Sequence, residues 1–222
     1  VLLTDKNNYK INIVNGNCEN YEDDNIKILN ISNNDSRKFI EKDTKNYEDI
    51  VINLNKIFLN SGILFNIKKN SKIKLKLYHN TQEDITVFQN NFFNFDKFSE
   101  VNIEEEFLFS NNTINNLNYD LNLNEGAIVE HDIMQNLSIS NNLYLTTNTL
   151  CEKKSSYKQN TYNFSDSIIR NFHFVNLNGS FSEASLKGCF FIKDNNKSVN
   201  KTHITHNAES CDSNQAYKGI LN

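Results

Sequence analysis

Apolar residues in this chain recur at every second position and seldom at helical spacing. Ile73, Leu75 and Leu77 alternate with Lys74, Lys76 and Tyr78. A period of two belongs to a strand with one buried face. The same reading gives strands at 26–31, 50–54, 85–88, 101–109, 117–123 and 128–133. Further strands are expected at 143–147, 157–164, 168–177, 180–192 and 202–205. Short strands spaced by roughly 10–12 residues point to an all-β fold. No convincing amphipathic helix stands out. Residues 35–49, where charge and polarity peak, are the best place for a helical or irregular insertion.

A chain of 222 residues suits one domain with a sizeable core. Asparagine supplies 43 of them, beside abundant Ile, Lys and Phe, which fits a coding bias toward A and T. Most of the asparagine is therefore compositional rather than chemical. The net charge of -4, with only Arg37 and Arg170 as arginines, argues against a broad nucleic-acid surface. No run of 18 apolar residues could span a membrane as a helix. The start at Val1 has no signal-peptide pattern and no initiator Met, so the chain is expected to begin partway through a longer protein. Four cysteines without any Cys-x-x-Cys are expected to be reduced thiols.

Two all-β architectures compete on periodicity alone. A sandwich wants hairpins with Asn-Gly or Asp-Gly turns. Only Asn15-Gly16 and Asn178-Gly179 qualify. A parallel solenoid wants similar strands at regular spacing. Three stretches share a loose style of polar turn, small residue and alternating strand, starting at Ser61, Glu125 and Asn178, but no strict repeat is visible. Asparagine suits solenoid turns because it tolerates left-handed backbone. The two architectures stay level at this point.

The usual enzyme signatures are missing: no Gly-x-Ser-x-Gly elbow, no Walker loop, no Gly-x-Gly-x-x-Gly. Glu104-Glu105-Glu106 lies inside an alternating strand, so its middle member should face opposite to its neighbours. The cluster is read as a solvated strand face. Glu130-His131-Asp132 likewise alternates faces and cannot form a compact triad. His131 is read as a structural or exposed histidine. His203 and His206 would point to opposite faces of a strand and make a poor chelate. His206 with Cys211 is left as a candidate for soft-metal ligation.

The C-terminal stretch carries a more specific pattern. His206-Asn207, then Ser213, then Tyr217-Lys218-Gly219 with Ile220-Leu221 closely resembles the SufD family. Members of that family are scaffold subunits of the SUF iron–sulfur cluster assembly complex. Upstream segments fit in order: Asn55 to Gly62 followed by 63–67, Glu125-Gly126-Ala127 leading to Glu130-His131, then Leu177-Asn178-Gly179 and Leu186-Lys187-Gly188. The likeness covers nearly the whole chain. The sister scaffold SufB differs around the terminal motif.

The resemblance implies an all-β, right-handed parallel β-helix of short strands, which decides for the solenoid. Residues 1–49 are then N-terminal strands and a polar insertion. Residues 50–222 are the β-helix core, truncated at its C-terminal end, with the family's helical N- and C-terminal regions missing. It implies a cytoplasmic, non-catalytic scaffold that pairs with a SufB-type scaffold and a SufC-type ATPase, with neither nucleic acid nor membrane as partner. The cluster would be the product of the complex rather than a cofactor of this chain. No catalytic residue is expected, and no cofactor-binding residue can be assigned. The family's own ligand segment would lie beyond Asn222, so His206 and Cys211 do not inherit it. The competing readings are a β-helical carbohydrate-active or adhesion protein, and a vestigial scaffold fragment.

Overall fold

The computed structural model describes residues 2–5, 7–31, 49–138, 140–193 and 196–221. The first strands are β1 (Leu2–Asp5), β2 (Asn8–Val14), β3 (Tyr21–Glu22) and β4 (Ile26–Asn30), followed by the helix α1 (Ile50–Phe58). Next come β5 (Ser61–Ile67), β6 (Lys72–Thr81), β7 (Thr86–Phe95), β8 (Glu100–Phe109), β9 (Ile114–Leu123) and β10 (Ile128–Gln135). The last are β11 (Asn142–Cys151), β12 (Ser156–Asn163), β13 (Ile168–Leu177), β14 (Glu183–Ile192), β15 (Lys197–His206) and β16 (Asp212–Leu221). The insertion expected at 35–49 falls almost wholly outside the described residues.

Alternate strands go to opposite sheets. One sheet runs β1-β2-β6-β8-β10-β12-β14-β16 and the other β15-β13-β11-β9-β7-β5-β4-β3. From β6 onward every pairing is parallel. The result is a parallel β-solenoid of about six turns. β2 already pairs in parallel with β6, and β4 lies antiparallel on β5, so both sheets begin before residue 49.

Each coil is two strands and two corners. Lys72 lies beside Glu100, Glu100 beside Ile128, and Ile128 beside Ser156. That is a 28-residue step, seen again in contacts such as Asn160 Nδ2 donating to Asp132 Oδ1. One corner is built alike in every coil. Asn70, Phe98, Gly126, Lys154, Phe181 and Ser210 all take positive φ there. The residue after each turns inward: Ser71, Ser99, Ala127, Ser155, Ser182 and Cys211. The first five are buried. Small side chains are needed at that bend because the two sheets converge on it.

The core is the space between the two sheets. Inward positions stack from coil to coil, as Phe65 does on Phe93 with centroids 4.4 Å apart and planes 3° from parallel. The stack Ile67, Phe95, Leu123, Cys151, Leu177 closes one side of it.

Residues 50–54 correct the sequence reading: they begin a helix, not a strand. Asp49 caps it, accepting from the amides of Val51 (2.9 Å) and Ile52 (3.2 Å), and also pairs with Arg170 of β13. The helix lies on the outer face of the second sheet. Asn55 fixes it there, its amide donating to the Asn116 carbonyl at 2.6 Å, while Asn116 Nδ2 donates to the Val51 carbonyl at 2.9 Å. Among the described residues, no helix is long and apolar enough to cross a membrane.

Candidate functional site

Two places in the solenoid carry polar chemistry: its interior at the middle coils, and the last coil, β15 with β16.

The interior contains a seam of titratable side chains. Glu105 of β8 is in phase with the inward Val101, Ile103 and Phe107, and its side chain is 0% exposed. The solvated-face reading of 104–106 therefore holds only for its outer members. Glu104 forms ion pairs at 2.6 Å with both Lys74 and Lys76 on the outside. Inside, Glu105 lies diagonally between two histidines. His79 Nε2 of β6 is 3.6 Å from Oε1, and His131 Nε2 of β10 is 3.4 Å from Oε2. His131 is fully buried, not exposed. Across the core, the Tyr119 hydroxyl of β9 is 3.2 Å from His79 Nε2. On the other side His131 Nδ1 is 3.2 Å from the Tyr157 hydroxyl of β12, which donates to Gln159 Oε1 at 2.8 Å. Gln159 Nε2 donates to the His173 ring of β13 at 2.9 Å, and His173 Nδ1 is 2.9 Å from Thr147 Oγ1.

Burial and charge set the protonation of this seam. Burial acts most strongly on Glu105 and would raise it. The His131 charge and the contacts from His131 and His79 outweigh that and hold its carboxyl at about 2. Burial, then the Glu105 charge, pushes the Tyr119 phenol well above its ordinary value. Burial does the same to Tyr157, so both remain O–H donors. Burial, then the His131 charge, pulls His173 down to about 3, so it stays neutral and can accept from Gln159.

The last coil holds the residues of the terminal motif. His206 and Ser213 both sit on inward positions of exposed strands, with His206 Nε2 2.9 Å from Ser213 Oγ. Asn207 Nδ2 donates to Asn178 Oδ1 at 2.8 Å, one coil back. Tyr217 and Gly219 pack against β14. The Tyr217 ring covers Gly188 and the Phe190 ring covers Gly219, each where a Cβ would collide. Lys218 points outward beside Cys189 and is exposed. His203 faces away from His206, its ring 6.4 Å from that of Phe174 on the outer face.

Cys211 occupies the inward corner position that serine or alanine fills in the preceding coils. Its sulfur is 3.4 Å from Ser182 Oγ and 3.5 Å from the Gly179 carbonyl. The structure gives His206 and Cys211 these separate partners. Among the described residues, no group of three or more His, Cys, Asp or Glu is arranged to hold a metal ion. All four cysteines are free thiols. Burial pushes Cys151 up to about 12 and Cys18 up to about 11, so neither is a nucleophile at neutral pH.

Residues 77–222 match the family described as SUF system FeS cluster assembly, SufBD core domain. The chain belongs to the SufBD core domain family. The match begins inside β6 and runs through every later coil, so it includes both the polar interior and the terminal motif. No curated protein matches the chain. Sequence reasoning missed the interior seam, although the signal was present: Glu105, His131, Gln159 and His173 all fall on the inward phase of their strands.

Proposed function

We propose that this chain is a SufD-type scaffold subunit of a SUF complex, pairing with a SufB-type scaffold and a SufC-type ATPase. The observation that carries this reading is the SufBD core match over 77–222, which coincides with an uninterrupted parallel solenoid. A stack of hydrogen-bonded coils is stiff along its axis and presents long flat faces, which suits a platform for partners. The terminal motif of His206, Asn207, Ser213, Tyr217, Lys218 and Gly219 favours the SufD type over SufB. The chain itself is non-catalytic in this reading. The iron–sulfur cluster is the product of the complex, and ATP hydrolysis belongs to the SufC-type subunit.

Co-expression tests this directly. Tagged chain is expected to retain SufB-type and SufC-type subunits through size-exclusion chromatography as a complex of fixed stoichiometry. Retention of neither subunit would overturn the assignment. A complex in which the chain replaces the SufB-type subunit, pairing with an authentic SufD, would reverse the choice of type.

A further inference from the structure

We propose that the contact between Glu105 and His131 is a proton-binding site, which holds one proton between His131 Nε2 and Glu105 Oε2 and gives it up on unfolding in alkaline solution. The site lies in this chain's own interior and is independent of its partners.

The hydrogen-bond directions favour it with Gln159 oriented as it stands, its Oε1 toward Tyr157 and its Nε2 toward His173. Tyr157 has one hydroxyl hydrogen, and it goes to Gln159 Oε1 at 2.8 Å. The Tyr157 oxygen can then only accept from His131 Nδ1, at 3.2 Å, so Nδ1 carries a hydrogen. A neutral imidazole has only one N–H. Its Nε2 would then be a bare lone pair, facing the carboxylate oxygen at 3.4 Å. Among the described residues His131 Nε2 has no other hydrogen-bond partner, and the Glu105 carboxylate has His79 as its further neighbour, at 3.6 Å. Both side chains are 0% exposed. Two lone pairs pressed together in a dry core repel, and one proton between them turns the contact into an attraction. Imidazolium with carboxylate, or imidazole with carboxylic acid, contains the same proton.

Of the surrounding groups, His79 also favours the carboxylate charge. The titratable groups facing the pair are His79 from β6, Tyr119 from β9, Tyr157 from β12 and His173 from β13. Both tyrosines stay protonated and His173 stays neutral, so none of these three supplies or removes the proton. His79 approaches the other carboxylate oxygen and has Tyr119 as its own partner.

The balance is simple. Above the ordinary histidine range, near pH 6.5, an unfolded chain has carboxylate and neutral imidazole. Folding must then draw one proton from buffer, and unfolding returns it. The contribution of the site is complete below that range. Above it, the folding constant falls about tenfold per pH unit until the folded pair itself deprotonates.

Urea unfolding of the 222-residue chain at pH 7 and pH 8 reads this effect. The thiols of Cys18 and Cys151, raised by burial, add a smaller release near pH 8, which parent and variants share, so the difference between them isolates the site. Two variants locate the proton. Glu105→Gln removes the carboxylate, and its amide can donate to a neutral His131. Tyr157→Phe frees Nδ1, so a neutral His131 can place its hydrogen on Nε2 and needs no extra proton. Both are expected to lose the tenfold step that the parent shows. A parent with no such step, or variants that keep it, would overturn the proposal. Should one variant fail to fold, the other decides against the parent. Calorimetric unfolding at about pH 7.5, where unfolded thiols are still almost wholly protonated, in buffers of different ionisation enthalpy is expected to show release of about one proton per chain. Release of none would overturn the proposal.

Discussion

Gly188 and Gly219 show what the terminal motif does physically. Tyr217 and Phe190 project into the same interior from neighbouring strands, and each ring needs the Cβ space of the glycine opposite it. The motif is legible in the sequence as a family mark, but its packing is not, because the partners lie on different strands. An added methyl must displace the half-buried ring of Phe190. Gly219→Ala is therefore expected to destabilise the chain by about 1–3 kcal/mol. Lys218→Ala, at an exposed outward position, should stay within about 0.5 kcal/mol of the parent. Denaturation midpoints of the two variants check this, and equal midpoints would show that the ring-on-glycine packing is unimportant. Cys211 illustrates the opposite outcome. Beside a histidine motif it reads as a candidate metal ligand, and its place in the corner gives a packing reason for a small inward side chain there.

At the scale of elements, alternation located most strands because one face of each is buried, but passed over β1, β2, β3 and β16. It failed at 50–54, where Ile50, Ile52 and Leu54 fit a strand as well as a helix. Short apolar runs do not separate the two by periodicity. The deciding group is Asp49, which satisfies two free amides of the first turn and holds Arg170 from a strand 121 residues away. The coil repeat was hidden for a related reason. Its corner needs a left-handed backbone, and Asn70, Phe98, Gly126, Lys154, Phe181 and Ser210 all supply one, so geometry repeats while identity does not. Asp49→Ala is expected to cost about 1 kcal/mol through loss of the cap. The loss should be local: amide exchange across 50–58 should quicken while the strands keep their protection. Unchanged exchange in the helix would mean that Asn55 and Asn116 hold it without the cap. The Asp49 carboxyl is held below its ordinary range despite burial, which would raise it, because Arg170 and the amides of Ile52 and Val51 favour its charge. Its help to the helix is therefore present above the ordinary aspartate range and fades as pH falls below it.

For the molecule as a whole, the acidic side of its stability should depend on the solenoid interior. A buried carboxylate is costly unless its charge is matched, and among the described residues Glu105 is matched by histidines on the two flanking coils. The sequence alone could place Glu105 on the opposite face from Glu104 and Glu106. It could not say that this face was the inner one, because that depends on which side the second sheet closes. Once it does, β6, β8 and β10 are joined by side chains as well as by their backbone ladder. The folded carboxyl is held at about 2, below its ordinary value of 4.5. A depressed acid binds fewer protons folded than unfolded, so its contribution is present above the ordinary value and disappears as pH falls toward the folded one. Other surface carboxylates with lowered values, such as Glu104, add to the same acid limb, so the useful quantity is a difference. Glu105→Gln should lose stability most at pH 5 to 6, where the parent has both its carboxylate and its proton. The gap between variant and parent should close by pH 2 to 3. Parallel curves for parent and variant across that range would mean that Glu105 is not ionised in the folded core. The cost of the substitution would then be one of shape alone.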